Sequence, residues 1–62
     1  MTRSEAYRQM KFLGNRMTHI DFIEHKYLEW KDNQIKTDDG YDFSSQFHYR
    51  IRFEDGWSLY CV

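Results

Sequence analysis

An α+β domain is predicted, with one short N-terminal helix packed on a small antiparallel β-sheet, and three observations predict it. A capping signature followed by helical spacing opens the chain. Apolar and polar residues alternate with period 2 through much of the remainder, and glycine- or Asx-containing turns separate the alternating stretches. With no repeat or low-complexity stretch, residues 1–62 read as a single domain.

The helix comes first. Thr2-Arg3-Ser4-Glu5 reads as a capping box, Thr2 serving as N-cap and Glu5 reaching back from the third helical position, with Ser4 as the rival cap. Ala6, Met10 and Leu13 follow at i, i+4 and i+7, Tyr7 widens the stripe, and Gly14 supplies a left-handed C-cap. Residues 16–19 read as a short strand with Met17 inward.

The next segment carries two patterns. Ile20, Ile23, Tyr27 and Trp30 have the spacing of a second helix, whereas residues 26–31 alternate like a strand with Leu28 and Trp30 on one face. An irregular turn through residues 21–25 followed by a strand is the favoured reading. Asp32-Asn33 turns that strand into residues 34–37, Asp38-Asp39-Gly40 makes another turn, and residues 41–45 lead onward.

The meander is expected to end in a β-hairpin over residues 46–62. Phe47, Tyr49, Ile51 and Phe53 alternate with His48, Arg50 and Arg52, and Glu54-Asp55-Gly56 turns the chain. A three-residue turn with Gly56 left-handed pairs Phe53 with Trp57, Ile51 with Leu59 and Tyr49 with Cys61, whereas a two-residue turn mixes the faces. In the first register Ile51, Phe53, Trp57 and Leu59 are core and Cys61 is a small buried hydrophobe.

A chain of this length barely offsets its conformational entropy, so added stabilisation is expected. Cys61 is the only cysteine, and His19, His25 and His48 lack the paired spacing of zinc modules, so neither a disulfide, a metal nor a cofactor is expected. Self-association is the remaining route. One helix cannot cover all the large aromatics, and some of Phe22, Tyr27, Trp30, Tyr41 and Phe43 are expected at the surface of a homo-oligomer. Nine basic and ten acidic side chains give a net charge of −1, which supplies no overall field for DNA, RNA or an anionic membrane. No apolar run is long enough to span a bilayer or act as a signal region, and a lone thiol fits a reducing cytoplasm.

Enzyme chemistry finds little support. His19, Asp21, Glu24 and His25 could be arranged as acid-base groups or metal ligands, but a polar turn places them in water by default. Cys61 with a histidine could form a nucleophile pair, yet its expected place is apolar. There is no glycine-rich phosphate loop, nucleophile elbow or informatively spaced carboxylate pair, so no catalytic residue is assigned. Binding chemistry fits better. His48, Arg50 and Arg52 share one face of the expected strand, where arginine forks can hold phosphate while Trp30 or Tyr60 stacks on a base. The same arginines would also suit a solvated face paired with Glu29 or Glu54.

Glu5-Ala6 on a short helix, Gly14 just after it, Met17 in a strand, Tyr27-Leu28, Gly40, and Asp55-Gly56-Trp57-Ser58-Leu59-Tyr60 together make a pattern that spans nearly the whole chain. In these residues the chain resembles a family of small phage-encoded domains that includes Thoeris anti-defence proteins, which sequester nucleotide signals of bacterial immunity, and a relative that inhibits Cas9. It departs from that family in its shorter length, in Asn15-Arg16 where two basic residues are common, and in Phe22 where tryptophan is frequent. The resemblance implies a phage immune-evasion protein of the host cytoplasm. It would sequester a cyclic or ADP-ribose-derived nucleotide between subunits without turnover, with Arg50, Arg52 and His48 on phosphate and Trp30 and Tyr60 on base or ribose. The alternative is a protein-protein inhibitor of a host defence or transcription protein, acting through an aromatic surface or an exposed sheet edge.

Overall fold

Helix α1, Arg3–Leu13, runs between the two caps its sequence carries. In the computed structural model, which describes residues 1–61, Thr2 Oγ1 accepts the Glu5 amide at 3.3 Å and the Glu5 carboxylate accepts the Thr2 amide at 3.4 Å. Gly14 closes the helix at φ 68°, where a residue without Cβ avoids strain. Ala6 and Met10 are fully buried, whereas Leu13 lies exposed in the last turn.

Four short strands follow: β1 (Met17–His19), β2 (Leu28–Lys31), β3 (Gln34–Thr37) and β4 (Trp57–Leu59). They form an antiparallel sheet in the order β3-β2-β1-β4, so the first three make a meander and the fourth returns beside the first, as in a Greek key. Asp32 and Asn33 both take positive φ, 54° and 62°, the geometry of a two-residue turn whose twist matches its strands. Between β3 and β4 the chain coils through α2 (Ser44–Tyr49) and a single 3₁₀ turn (Ile51–Phe53). These two segments and α1 cover one sheet face, burying Met17, Leu28, Ile35, Phe43, Phe47, Phe53 and Trp57 in one cluster.

The α+β class is as the sequence predicts, but the C-terminal hairpin is not formed. Residues 46–49 lie in α2, Arg50 is extended and residues 51–53 form the 3₁₀ turn, while β4 pairs with β1: Leu59 opposite Met17, Ser58 opposite Thr18 and Trp57 opposite His19. Phe43 and Phe47 stand four apart, the helical spacing, and α2 turns both onto the sheet. A strand through Phe47 and Phe53 would bring their rings to one face, but it would not lay a second layer across β3. Gly56 does take positive φ, 94°, yet it joins the 3₁₀ turn to β4 rather than two paired strands. Phe53 and Trp57 meet through the Trp57 indole N–H, which donates to the Phe53 carbonyl at 2.8 Å.

Other expectations change with the hairpin. Ile51 is 81% exposed, Leu59 on its edge strand is 43% exposed, and Cys61 is exposed. Phe43 is buried, and Phe22 and Trp30 pack against the core, so much of the aromatic surface assigned to an oligomer is hidden within one chain.

Both sheet edges are covered by the chain itself. Beside β3, the Thr37 amide donates to the Tyr41 carbonyl and the Phe43 amide to the Ile35 carbonyl, each at 2.8 Å. Beside β4, the Met1 nitrogen donates to the Trp57 carbonyl at 2.7 Å and the Trp57 amide to the Met1 carbonyl at 3.1 Å. Addition of a partner strand at these positions would have to displace these bonds. Arg3 links the layers from within α1: its Nε donates to the Phe47 carbonyl at 2.8 Å and its terminal nitrogen to the Arg50 carbonyl. A cation is thus placed on the Phe47 carbonyl in the last turn of α2 and on the Arg50 carbonyl, which also accepts the Phe53 amide at 3.1 Å.

Candidate functional site

The alternation that buries Met17, Leu28 and Trp57 turns Arg16, Thr18, Tyr27, Glu29, Lys36, Ser58 and Tyr60 toward the opposite sheet face. No helix covers that face among the described residues. Glu29 pairs with Lys36 across β2 and β3, and Arg16 Nε lies 3.7 Å from the Glu29 carboxylate. The Tyr60 amide donates to the Arg16 carbonyl at 2.9 Å, which sets Tyr60 beside Arg16. A transverse row therefore reads Lys36, Glu29, Arg16, Tyr60.

Thr18 and Ser58 form the adjacent row, and the Thr18 hydroxyl donates to the Lys26 carbonyl at 2.9 Å, steadying the chain just before Tyr27. Tyr27 and Tyr60 meet with ring centroids 4.7 Å apart and planes tilted by 37°, and the Arg16 guanidinium carbon lies 4.8 Å from the Tyr27 centroid. The result is a tilted, mutually packed aromatic pair with a cation over the Tyr27 ring. A planar ring can pack against this pair while Arg16 meets an attached anion, in competition with Glu29.

The residues expected to bind ligand do not converge. His48 lies in α2, Arg50 follows it, and Arg52 lies in the 3₁₀ turn, so the strand that would project them to one side is absent. Arg52 Nε is 3.9 Å from the Asp21 carboxylate. Trp30 faces α1, with the Tyr7 ring 5.8 Å away, and His48 touches the same Tyr7 at 5.4 Å. Tyr60 is on the other side of the sheet, so one small ligand cannot contact both Trp30 and Tyr60. Arg16 and Tyr27 were missed. Their outward alternation beside Met17 and Leu28 was a readable signal, but that β1 brings them to Tyr60 was not.

Of the polar turn residues, His19 and the Asp21 amide are engaged in structure. His19 is buried; its Nδ1 accepts the Asp21 amide at 3.0 Å and its Nε2 donates to the Asp55 carbonyl at 2.7 Å. Those partners define a neutral ring with its proton on Nε2. Phe53 and Trp57 close on the ring at 4.9 and 4.8 Å. Glu24 and His25 are exposed at the rim of a shallow depression of about 120 Å³, shared with Ile23, Lys26, Asp38 and Asp39. No group of three or more His, Cys, Asp or Glu side chains is placed to hold a metal among the described residues.

Comparison with known proteins finds no matching family model, no matching curated protein and no matching solved structure. The likeness to the phage anti-defence family accordingly rests on the sequence pattern alone.

Proposed function

We propose that the chain is a binding protein that acts without turnover, holding a nucleotide-derived signal on the open sheet face. The carrying observation is the Tyr27–Tyr60 pair with Arg16 over the Tyr27 ring: a base packs against the pair and a phosphate meets the guanidinium. The buried imidazole that an acid-base mechanism would use has both nitrogens occupied by backbone partners, which favours binding over catalysis. With the family resemblance, this reads as phage immune evasion in the host cytoplasm by stoichiometric sequestration. A flat face retains a small ligand tightly only when something closes over it, and a second copy of the chain supplies that cover.

A protein inhibitor is the second reading, favoured by Tyr49 and Ile51, which are 84% and 81% exposed on either side of Arg50. Mass spectrometry of small molecules released by heating, followed by calorimetry against cyclic oligonucleotides and ADP-ribose cyclisation products, separates the two. A nucleotide binder loses roughly ten- to a hundredfold in affinity on Arg16→Ala, the effect of one charge-assisted contact. If no nucleotide binds the parent, the sequestration reading fails and the inhibitor reading takes its place. Light scattering with and without ligand tests whether a second copy closes the site.

A further inference from the structure

A different site lies on the helix side of the molecule. Lys11 Nζ sits over three aromatic rings, those of Tyr7, Phe12 and Trp30, at 5.4 Å from each centroid. Tyr7 and Trp30 stand at 88° to one another, so two walls of this enclosure meet at a right angle, and the His48 ring braces Tyr7 from its edge. The ammonium has no carboxylate within ion-pairing distance among the described residues. The ring faces are what hold it.

We infer that Tyr7, Phe12 and Trp30 form an aromatic cage for a quaternary ammonium group, with Lys11 as its resident, displaceable cation. The attraction comes from the negative ring faces and requires no N–H donor. A primary ammonium is strongly hydrated and gives up water to stay among rings. A trimethylated ammonium is weakly hydrated and offers methyl groups to the same walls. Exchange therefore returns the lysine head to water at an exposed position and seats the cation with less hydration to lose. The ligand class is a small molecule bearing a trimethylammonium group, and the site is independent of the open sheet face.

The test is an NMR titration of the Trp30 indole N–H with tetramethylammonium chloride, choline and acetyl-trimethyllysine amide, using ammonium chloride at matched ionic strength as the control. Trp57 is an internal reference, since its indole N–H is buried on the Phe53 carbonyl. The Trp30 signal is expected to move saturably with quaternary ammonium, with Kd on the order of millimolar, while Trp57 stays. Lys11→Ala, which removes the competitor, is expected to tighten binding by about five- to thirtyfold. Phe12→Ala, at a residue 69% exposed and so dispensable for folding, weakens it. Tighter binding of choline or of the trimethyllysine compound identifies which natural source fits. An unmoved Trp30 signal in both parent and Lys11→Ala, or an equal response to ammonium chloride, overturns the proposal.

Discussion

The His19 imidazole fastens two turns at once, donating from Nε2 to the Asp55 carbonyl at 2.7 Å and accepting the Asp21 amide on Nδ1 at 3.0 Å. One turn follows β1 and the other precedes β4, so the ring locks the pairing between those strands from inside the core. His19→Phe keeps an aromatic ring in the cluster but deprives a carbonyl and an amide of their partner. It is expected to destabilise the fold by about 1–3 kcal/mol, read from urea or guanidinium unfolding. A variant as stable as the parent would show that the two bonds contribute nothing.

Gly56 tests the same contact from its other side. A Cβ there would come within 3.0 Å of both His19 Nε2 and Ile20 Cγ2, at a φ of 94° that side chains rarely adopt. Gly40 has φ 89° but open space around it. Gly40→Ala is expected to cost about 1–2 kcal/mol from backbone strain, and Gly56→Ala about 2–4 kcal/mol because crowding adds to it. Equal unfolding midpoints for the two variants would contradict the close approach.

Arg3 offers a third test, because a single fork joins α1 to the end of α2. Arg3→Lys keeps the charge but not the geometry for two diverging bonds. A loss of about 1–2 kcal/mol in unfolding free energy is expected, with faster amide exchange in α2. Unchanged exchange across residues 44–50 would remove Arg3 from that role.

Asp42 gives the fold a dependence on acid. Its carboxylate accepts the Ser44 amide at 3.0 Å; that bond, aided by the Ser44 hydroxyl and the charge of Lys36, holds its pKa below the ordinary aspartate range. Since the folded value is the lower one, its contribution is complete above the unfolded value and disappears as pH falls through the folded value. The stability difference between parent and Asp42→Asn is therefore expected to shrink only in acid, at and below the ordinary aspartate range. A difference that stays constant through that range would rule out the carboxylate as its source.

Local chemistry alone determined much of this protein. The caps of α1, the inward Met17, the Asp32-Asn33 turn, β3 and the positive φ of Gly56 each depend on neighbours within a few residues, so each could be read from the sequence. Residues 46–53 could not. Phe47, Tyr49, Ile51 and Phe53 alternate as a strand would, while Phe43 and Phe47 also carry helical spacing; local periodicity permits both. Tertiary structure chose the helix because α1 leaves part of the sheet uncovered, and coiling over it buries Phe43, Phe47 and Phe53 together and leaves Tyr49 and Ile51 outside. With that choice the cationic strand face disappeared, and β4 went to β1. The Tyr27–Tyr60–Arg16 cluster and the cage around Lys11 are likewise products of tertiary structure. Each joins residues from elements far apart in sequence, and which strands and helices become neighbours is decided by burial of the whole core rather than by any local pattern.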